Sequence, residues 1–464
     1  MIPVFFIAAG TASGCASVPA RGGLEDVRKF AEPRAGARVH WDQGRPEDLE
    51  AAEAVRRMLA DELSQEEAVQ IALLNNGSLQ ATFEELGIAQ ADLVQAGLLQ
   101  NPVFGAGIRF PHDPEGSTET DFSISQDLWD LLSRPLRTKL AAAEFEEAKL
   151  RVGDAAVNLA AEVRSAYVAL QAAEHTHVTL QAVVQAAQAA AELAERQHAA
   201  GNINALDLAR EQALFQESEL EMARGEFEAL AERERLNRLM GLPGVPAWKI
   251  SKNLPGLPGQ EPPLEDLEDR ALTQRLDLAA ARKEVEVLER NLVLVRRGIV
   301  PKAELGIEME HEEGERATGP RAEVGLPLFD RRQGAIARAQ AELRQGQRRL
   351  VAFETRVRSE VRSARDRLRV TRRMVERYRD DLIPLREKVV AESQKQYNFM
   401  LIGVFQLLQD KREEIAAYRE YVEAFRDYWT ARTDLEKAVG SRLPASQKPA
   451  APQGTRSPHP GGHS

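Results

Sequence analysis

Few side chains in this 464-residue chain have the type and spacing that chemistry needs. His175 and His177 lie two apart, which on a helix turns them to different faces and separates them as metal ligands. His459 and His463 flank Gly461 and Gly462 in a tail that permits chelation, although its composition suits a solvated tail equally well. His311-Glu312-Glu313 lacks the second histidine that a zinc-hydrolase helix carries one turn on. Gly105-Ala106-Gly107 is not followed by Gly-Lys-Ser/Thr and forms no phosphate cradle; paired glycines in a strand serve curvature or close packing. Ten arginines crowd Arg356 to Arg379, interspersed with Glu354, Glu360, Asp366 and Glu376. That mixture reads as a salt-bridged, solvated helix face. No nucleophile, base or metal cluster emerges, so neither an enzyme nor a bound cofactor is expected. A net charge of −11 argues against nucleic acid.

The remaining reactive residue is Cys15, the chain's one cysteine, which excludes an internal disulfide. It follows the apolar run Val4-Phe5-Phe6-Ile7-Ala8-Ala9 and the small residues Ala12-Ser13-Gly14. This order resembles the lipobox of bacterial lipoproteins, in which the peptide is cut before the cysteine and the cysteine is acylated. It implies a signal peptide over 1–14 and a lipid on Cys15. Ala16 and Ser17, with no aspartate, fit sorting to the outer membrane. Ala12 stands where leucine is usual, and an ordinary signal peptide with an incidental cysteine is the other reading.

The elements that carry everything else are written twice, about 199 residues apart. Leu79 answers to Leu278, Pro102 to Pro301, and Asp130 to Asp330 at a spacing of 200. Such a register implies two copies of one structural unit, here placed at 64–242 and 264–440. They lie between an N-terminal extension (15–63), a Pro/Gly-rich linker (243–263) and a disordered tail (441–464). In the first copy, Ser64 and Glu67 form a capping box that opens a helix to about Gln100, and Asn101-Pro102 stops it. Strands are expected at about 102–110 and 120–129, around a turn at Pro111–Gly116. A long helix follows from about Pro135 to His198, then a turn at Gly201-Asn202-Ile203-Asn204 and a helix back to about Met240. The second copy predicts a helix over 264–298 and strands at about 301–311 and 321–329, separated by an exposed acidic loop. It continues with a long helix over 334–397 interrupted near Pro384, a turn at 398–403 and a last helix to Gly440.

Strands of this length suit a membrane barrel, but four cannot close one, and lipid forbids an open edge. Long helical hairpins likewise expose apolar faces that a single chain cannot bury. Several chains sharing one barrel resolves both problems. No run of 18 apolar residues offers a transmembrane helix.

Here the residues resemble a known family. Gly325-Leu326-Pro327-Leu328-Phe329-Asp330-Arg331-Arg332-Gln333-Gly334 resembles the strand-to-helix signature of TolC-family outer-membrane efflux proteins. Gly201 with Ala205-Leu206-Asp207-Leu208-Ala209-Arg210 resembles the family's first hairpin tip. Tyr397-Asn398 with Gly403-Val404-Phe405-Gln406-Leu407-Leu408-Gln409 resembles the second. The resemblance spans residues 60–440. It implies a mainly α fold with a small β part: a homotrimer whose twelve strands form one outer-membrane barrel, continued by a periplasmic α-helical barrel. It further implies an exit duct of a tripartite efflux system, working with a periplasmic adaptor and an inner-membrane transporter of the resistance-nodulation-division class. Without the barrel, the alternative is a lipid-anchored periplasmic coiled-coil scaffold. Adaptor docking would fall on Gly201, Asn202, Asn204, Asp207 and Arg210, and on Met400, Leu401 and Gly403. Gln406 and Gln409 align with the aspartates that ring the closed end in relatives, and Asp410 is expected on another face.

Overall fold

The computed structural model describes residues 17–110, 118–244, 248–251, 254–259, 261, 264–299, 303–312 and 315–443. Cys15 and its signal peptide, the turn at 111–116, and the tail with His459 and His463 lie outside the described residues. In chain order the elements are α1 (Leu24–Ala35), α2 (Pro46–Ala60), β1 (Glu62–Leu63), α3 (Gln65–Asn75), α4 (Gly77–Gly97), β2 (Val103–Arg109) and β3 (Glu119–Asp127). Then come α5 (Leu128–Ala199), α6 (Ala205–Met240), β4 (Lys249–Ile250), α7 (Leu267–Gln274), α8 (Leu276–Arg297), β5 (Ala303–Glu312) and β6 (Glu315–Val324). The chain ends with α9 (Gln333–Arg377), a π-helical turn (Tyr378–Leu382), α10 (Ile383–Asn398) and α11 (Val404–Val439). None of these helices is long and apolar enough to cross a membrane.

The two compact units are not the two sequence repeats. One comprises 1–28, 81–153 and 276–353; the other comprises 29–80, 154–275 and 354–464. Each repeat therefore contributes residues to both. The reason is length: a helix such as α5, 72 residues and about 108 Å, runs beyond any single core.

The first unit holds an antiparallel sheet in the order β2-β3-β5-β6. Ile124 pairs with Phe104 on one side and Ile307 on the other, and Phe122 with Ala106 and Met309. Because side chains alternate along a strand, Phe104, Ile108, Phe122, Ile124, Ile307 and Met309 share one face, and all are exposed. The opposite face carries Arg109, Asp121, Glu308 and Arg321, with ion pairs Arg109–Glu119 at 3.3 Å and Arg321–Glu308 at 3.3 Å. The acidic loop expected before residue 321 is largely strand, since β6 begins at Glu315 and pairs with Glu312. It also ends at Val324 rather than Phe329. Pro320 is tolerated because β6 is an edge strand, where a missing N–H need not break the ladder.

The second unit contains two matching helix joints. The helix expected over 64–100 breaks at Asn76. Asn76 accepts a hydrogen bond from Leu79 N at 2.9 Å as an N-cap and donates to Leu239 O at 2.9 Å. Asn75 donates to Gly241 O at 2.7 Å. Thus α3 meets the C-terminus of α6, whose last turn closes on Gly241 at φ +68. One repeat later, the helix expected over 264–298 breaks at Arg275, which packs against Gly440 at φ +73. Periodicity runs through both breaks unbroken, which hid them in the sequence.

The N-terminal segment seals both joints. Arg34 donates to Gln274 O at 3.2 Å and Gly440 O at 3.1 Å, placing a cation on carbonyls at helix C-termini. Gln80 donates to His40 O at 3.0 Å and Leu74 O at 3.3 Å. The linker is held by Glu261, which pairs with Arg372 at 3.0 Å and Arg432 at 2.7 Å and accepts from Tyr428. Burial, and then that carboxylate, push the Tyr428 phenol well up.

Two further boundaries moved. Helix α5 starts at Leu128, so Pro135 lies inside it rather than in its first turn. The expected interruption near Pro384 is the π-helical turn, in which Ile383 N reaches back to Tyr378 O and the following proline is accommodated.

Candidate functional site

Two helix reversals carry most of the expected site residues, and they are built on one backbone plan. At the first, Gly201 N bonds His198 O at 2.9 Å and Asn202 N bonds Gln197 O at 2.8 Å. At the second, Met400 N bonds Tyr397 O at 2.8 Å and Leu401 N bonds Gln396 O at 2.9 Å. Donors and acceptors all correspond at 199 residues. Both are Schellman-type closures, which need one left-handed residue. Gly201 takes it at φ +76 without strain, whereas Met400 takes it at φ +58 as a non-glycine.

The start of the next helix differs at the same position. Asn204 caps α6 by accepting from Asp207 N at 2.9 Å, and its amide donates to the Asp207 carboxylate at 2.9 Å. Arg210 closes this network on Asp207 at 3.3 Å. Gly403 holds the same extended conformation before α11 and supplies no side-chain cap. The first tip is therefore polar and self-satisfied. The second presents Phe399, Met400 and Leu401 at 77%, 92% and 73% exposure, a patch that suits a partner surface.

Gln406 and Gln409 stand 199 residues after Asp207 and Arg210. Both are exposed. Gln406 donates to Asp410 at 3.1 Å and Gln409 to Glu413 at 3.3 Å. Asp410 thus shares the face of Gln406, one turn on, and is not turned away as expected. Its other oxygen takes a hydrogen bond from Ser393. Both glutamines are therefore backed by carboxylates.

A set of cross-helix ties that the sequence did not reveal holds the hairpins together. Glu211 pairs with Arg412 at 3.3 Å and Glu221 with Arg419 at 3.2 Å, joining α6 to α11. Between α5, α6 and α11 lies a cavity of about 220 Å³, lined by Leu180, Val183, Leu214 and Ile415. Arg386 pairs with Glu413, and Tyr418 donates to Glu387, joining α10 to α11. The Glu387 carboxylate, then burial, push the Tyr418 phenol up to about 12. Only the opposite charges signalled these contacts, and spacing alone gave no partner. The arginine run behaves as the salt-bridged face its composition suggested: Arg362 pairs with Glu268 at 2.9 Å, Arg367 with Asp434 at 3.2 Å and Arg377 with Asp381 at 2.6 Å. Among the described residues no group of His, Cys, Asp and Glu is disposed to hold a metal ion.

A doubled helix–strand–strand–helix–turn–helix unit with one shared four-stranded sheet defines a TolC-like fold. Residues 68–242 match the model of the family described as outer membrane efflux protein. The chain is similar to the cobalt-zinc-cadmium resistance protein CzcC of Cupriavidus metallidurans, 21% identical over 386 residues, covering 83% of this chain and 91% of that protein. The CmeC outer membrane channel of Campylobacter jejuni superposes with a TM-score of 0.71 at 14% identity, covering 89% of this chain and 91% of that one. The outer membrane protein VceC of Vibrio cholerae gives 0.67 at 16%, covering 82% and 96%.

Proposed function

We propose that this chain is an outer-membrane efflux channel, the passive exit duct of a system completed by a periplasmic adaptor and an inner-membrane transporter. The observation that carries this reading is the sheet. Its order leaves β2 and β6 as unpaired edges, and one exposed face is apolar from Phe104 across to Met309. An apolar face belongs in lipid, and lipid tolerates no open edge. Copies of the chain must then join edge to edge, and three copies give a twelve-stranded barrel with the polar face inward. The hairpin tips are the proposed adaptor surface, the Gln406 and Gln409 side chains the proposed periplasmic constriction, and Cys15 the proposed lipid anchor. A transporter of the resistance-nodulation-division class is the proposed energy source. The name of the similar CzcC protein suggests divalent transition-metal cations as cargo. On the polar sheet face the carboxylates of Asp121, Glu308 and Glu310 outnumber Arg109 and Arg321, which pair with Asp121 and Glu308.

The test is fractionation and electrophysiology of the full chain. Heat-modifiable trimers in the outer membrane and conductance in planar bilayers are expected. A monomeric product without conductance would instead support the lipid-anchored scaffold. Raised sensitivity of a deletion strain to cobalt, zinc or cadmium checks the cargo.

A further inference from the structure

The helical end of the sheet is basic in a chain whose net charge is −11. All the strand-to-helix junctions lie at that end, because Val103 pairs with Ser125, Asp127 with Glu304 and Ala303 with Val324. The stretches of α5, α8 and the β6–α9 connection nearest the sheet, residues 128–142, 290–299 and 325–340, carry nine basic side chains against two carboxylates. Arg134, Lys139, Arg296 and Arg297 are exposed and have no ion-pair partner among the described residues. Arg362 and Arg367, farther along α9, are paired, so the salt-bridged face found there does not account for this collar.

Three of these cations converge on one groove. Arg134, Lys139 and Arg290 line a space of about 530 Å³ between α5 and α8, over a floor of Leu131, Pro135 and Ala142. Arg290 ties the two walls together: it donates to Lys139 O at 2.6 Å and pairs with Glu286 on its own helix. Leu131 and its neighbour Leu132 are 51% and 62% exposed. Cations over an apolar floor complement a molecule with an anionic head and a hydrocarbon tail, and arginine suits phosphate in particular. We propose that this groove holds the phosphate head of a membrane phospholipid, and that Arg296 and Arg297, farther along α8, draw anionic phospholipids to the same depth. This rests on the reading of the chain as an outer-membrane channel and names the lipid class that its helical end selects.

Depth supports the assignment independently. Head groups fill the outer ~5–8 Å on each side of a ~30 Å hydrocarbon core. The strands are 7 to 10 residues long and match the apolar band of a barrel, ~25 Å tall. Their ends therefore mark the edge of the hydrocarbon. Arg134 lies about 9 Å past that edge, at 1.5 Å per residue along α5 from Leu128. Side chains on a helix lean toward its N-terminus, which for α5 is toward the sheet, so Arg134 and Lys139 both reach back to the head groups. Arg297 closes α8 shortly before β5 begins at Ala303, at a corresponding depth. The sheet's own carboxylates at this end, Asp127, Glu304 and Glu323, alternate onto the polar face with Asp121 and Glu308. The channel reading turns that face to the lumen, so these acids do not oppose the lipid.

The test measures phospholipid retained by the full-length trimer in detergent, by native mass spectrometry, with phosphatidylglycerol and phosphatidylcholine of equal chain length as probes. Phosphatidylglycerol is expected to bind about tenfold more tightly, with the preference falling as salt rises. Arg134→Gln with Lys139→Gln should abolish that preference while trimer and conductance persist. Arg134→Lys with Lys139→Arg conserves the charge and should conserve the preference. So should Arg344→Gln with Arg348→Gln, at two exposed arginines farther along α9. Equal binding of the two lipids by the wild-type trimer, or a preference that survives the double glutamine variant, overturns the proposal and leaves the channel reading intact. Inorganic phosphate that competes as well as the lipid overturns it too, because the site then takes a free anion. A photoreactive residue in place of Leu131 that captures a protein instead of phospholipid in outer membranes does the same. A wild-type chain that forms neither trimer nor pore overturns the channel reading and this site together.

Discussion

The helix joint at Gly241 offers a quantitative test with an internal control. A Cβ there would stand 2.4 Å from Asn75 O and 2.9 Å from Asn75 C, so that backbone must retreat by about 1 Å to reach ordinary contact. The left-handed conformation itself costs an L-residue roughly 1–2 kcal/mol. Forcing a methyl into packed surroundings adds roughly 1–3 kcal/mol. The retreat also strains the bonds from Asn75 to Gly241 O and from Asn76 to Leu239 O, each worth about 1 kcal/mol. Gly241→Ala is therefore expected to cost about 3–5 kcal/mol. Gly244→Ala isolates the conformational part, because Gly244 is also left-handed at φ +80 and has nothing within 4 Å. It should cost only about 1–2 kcal/mol. The assay is heat dissociation and unfolding of the purified protein at one fixed scan rate, since such melting is kinetic as well as thermodynamic. The difference of about 2–3 kcal/mol corresponds to roughly 2–3 °C between the two variants in a chain of this length. Gly440→Ala should behave like Gly241→Ala, because its Cβ would lie 2.9 Å from Arg275 N and Cα. Equal melting of Gly241→Ala and Gly244→Ala would refute the joint as a packed contact that contributes to stability.

Three further outcomes follow from the same geometry. Gly403→Asn gives the second tip the cap of the first and should slow amide exchange in the opening turn of α11 by about twofold, a few tenths of a kcal/mol; unchanged exchange denies that α6 and α11 begin in equivalent ways. Tyr418→Phe removes the bond to Glu387 at a partly exposed site and should cost about 1 kcal/mol after solvent screening. Because the folded phenol titrates above its unfolded value, that stabilisation is complete below pH 10 and lost as pH rises through about 12. Mutant and wild type should therefore converge in alkaline melts, and a gap that persists above pH 12 would contradict the assignment. Ile307→Arg on the apolar sheet face should impair outer-membrane insertion by roughly 2–4 kcal/mol, while Glu308→Arg on the polar face should insert normally, as judged by heat-modifiable bands.

The duplication was legible because the register survives at Leu79 and Leu278 and at Pro102 and Pro301, and the first tip because Gly201 and Asn204 are residue types that backbone geometry dictates. Gly201, Asn204 and the Ser64–Glu67 box are local devices, and local devices show in a sequence. The breaks at Asn76 and Arg275 were not legible, because the side chains that make them leave the helix for partners more than 160 residues away. The first part of strand β6 read as a loop because Glu315, Gly319 and Pro320 are poor strand formers. Its pairing with β5 overrides that propensity. Asp410 was misjudged by comparison with Gln409, its neighbour, when its companion is Gln406, one turn back.

The π-helical turn bears on how such a chain can change its length. Both hairpins must end together, so losing one residue from α5 would lift its tip by about 1.5 Å and swing it by about 100°. The other tip would stay in place. Single insertions and deletions in the long helices are thus disfavoured unless matched one repeat away. A π turn is the exception, because it stores one extra residue without lengthening the helix. Among the described residues such a turn falls only in the second repeat, at Tyr378–Leu382; there Asp330 to Met400 spans 70 residues against 71 from Asp130 to Gly201, so the turn re-phases α10 against its neighbours without recording an added residue.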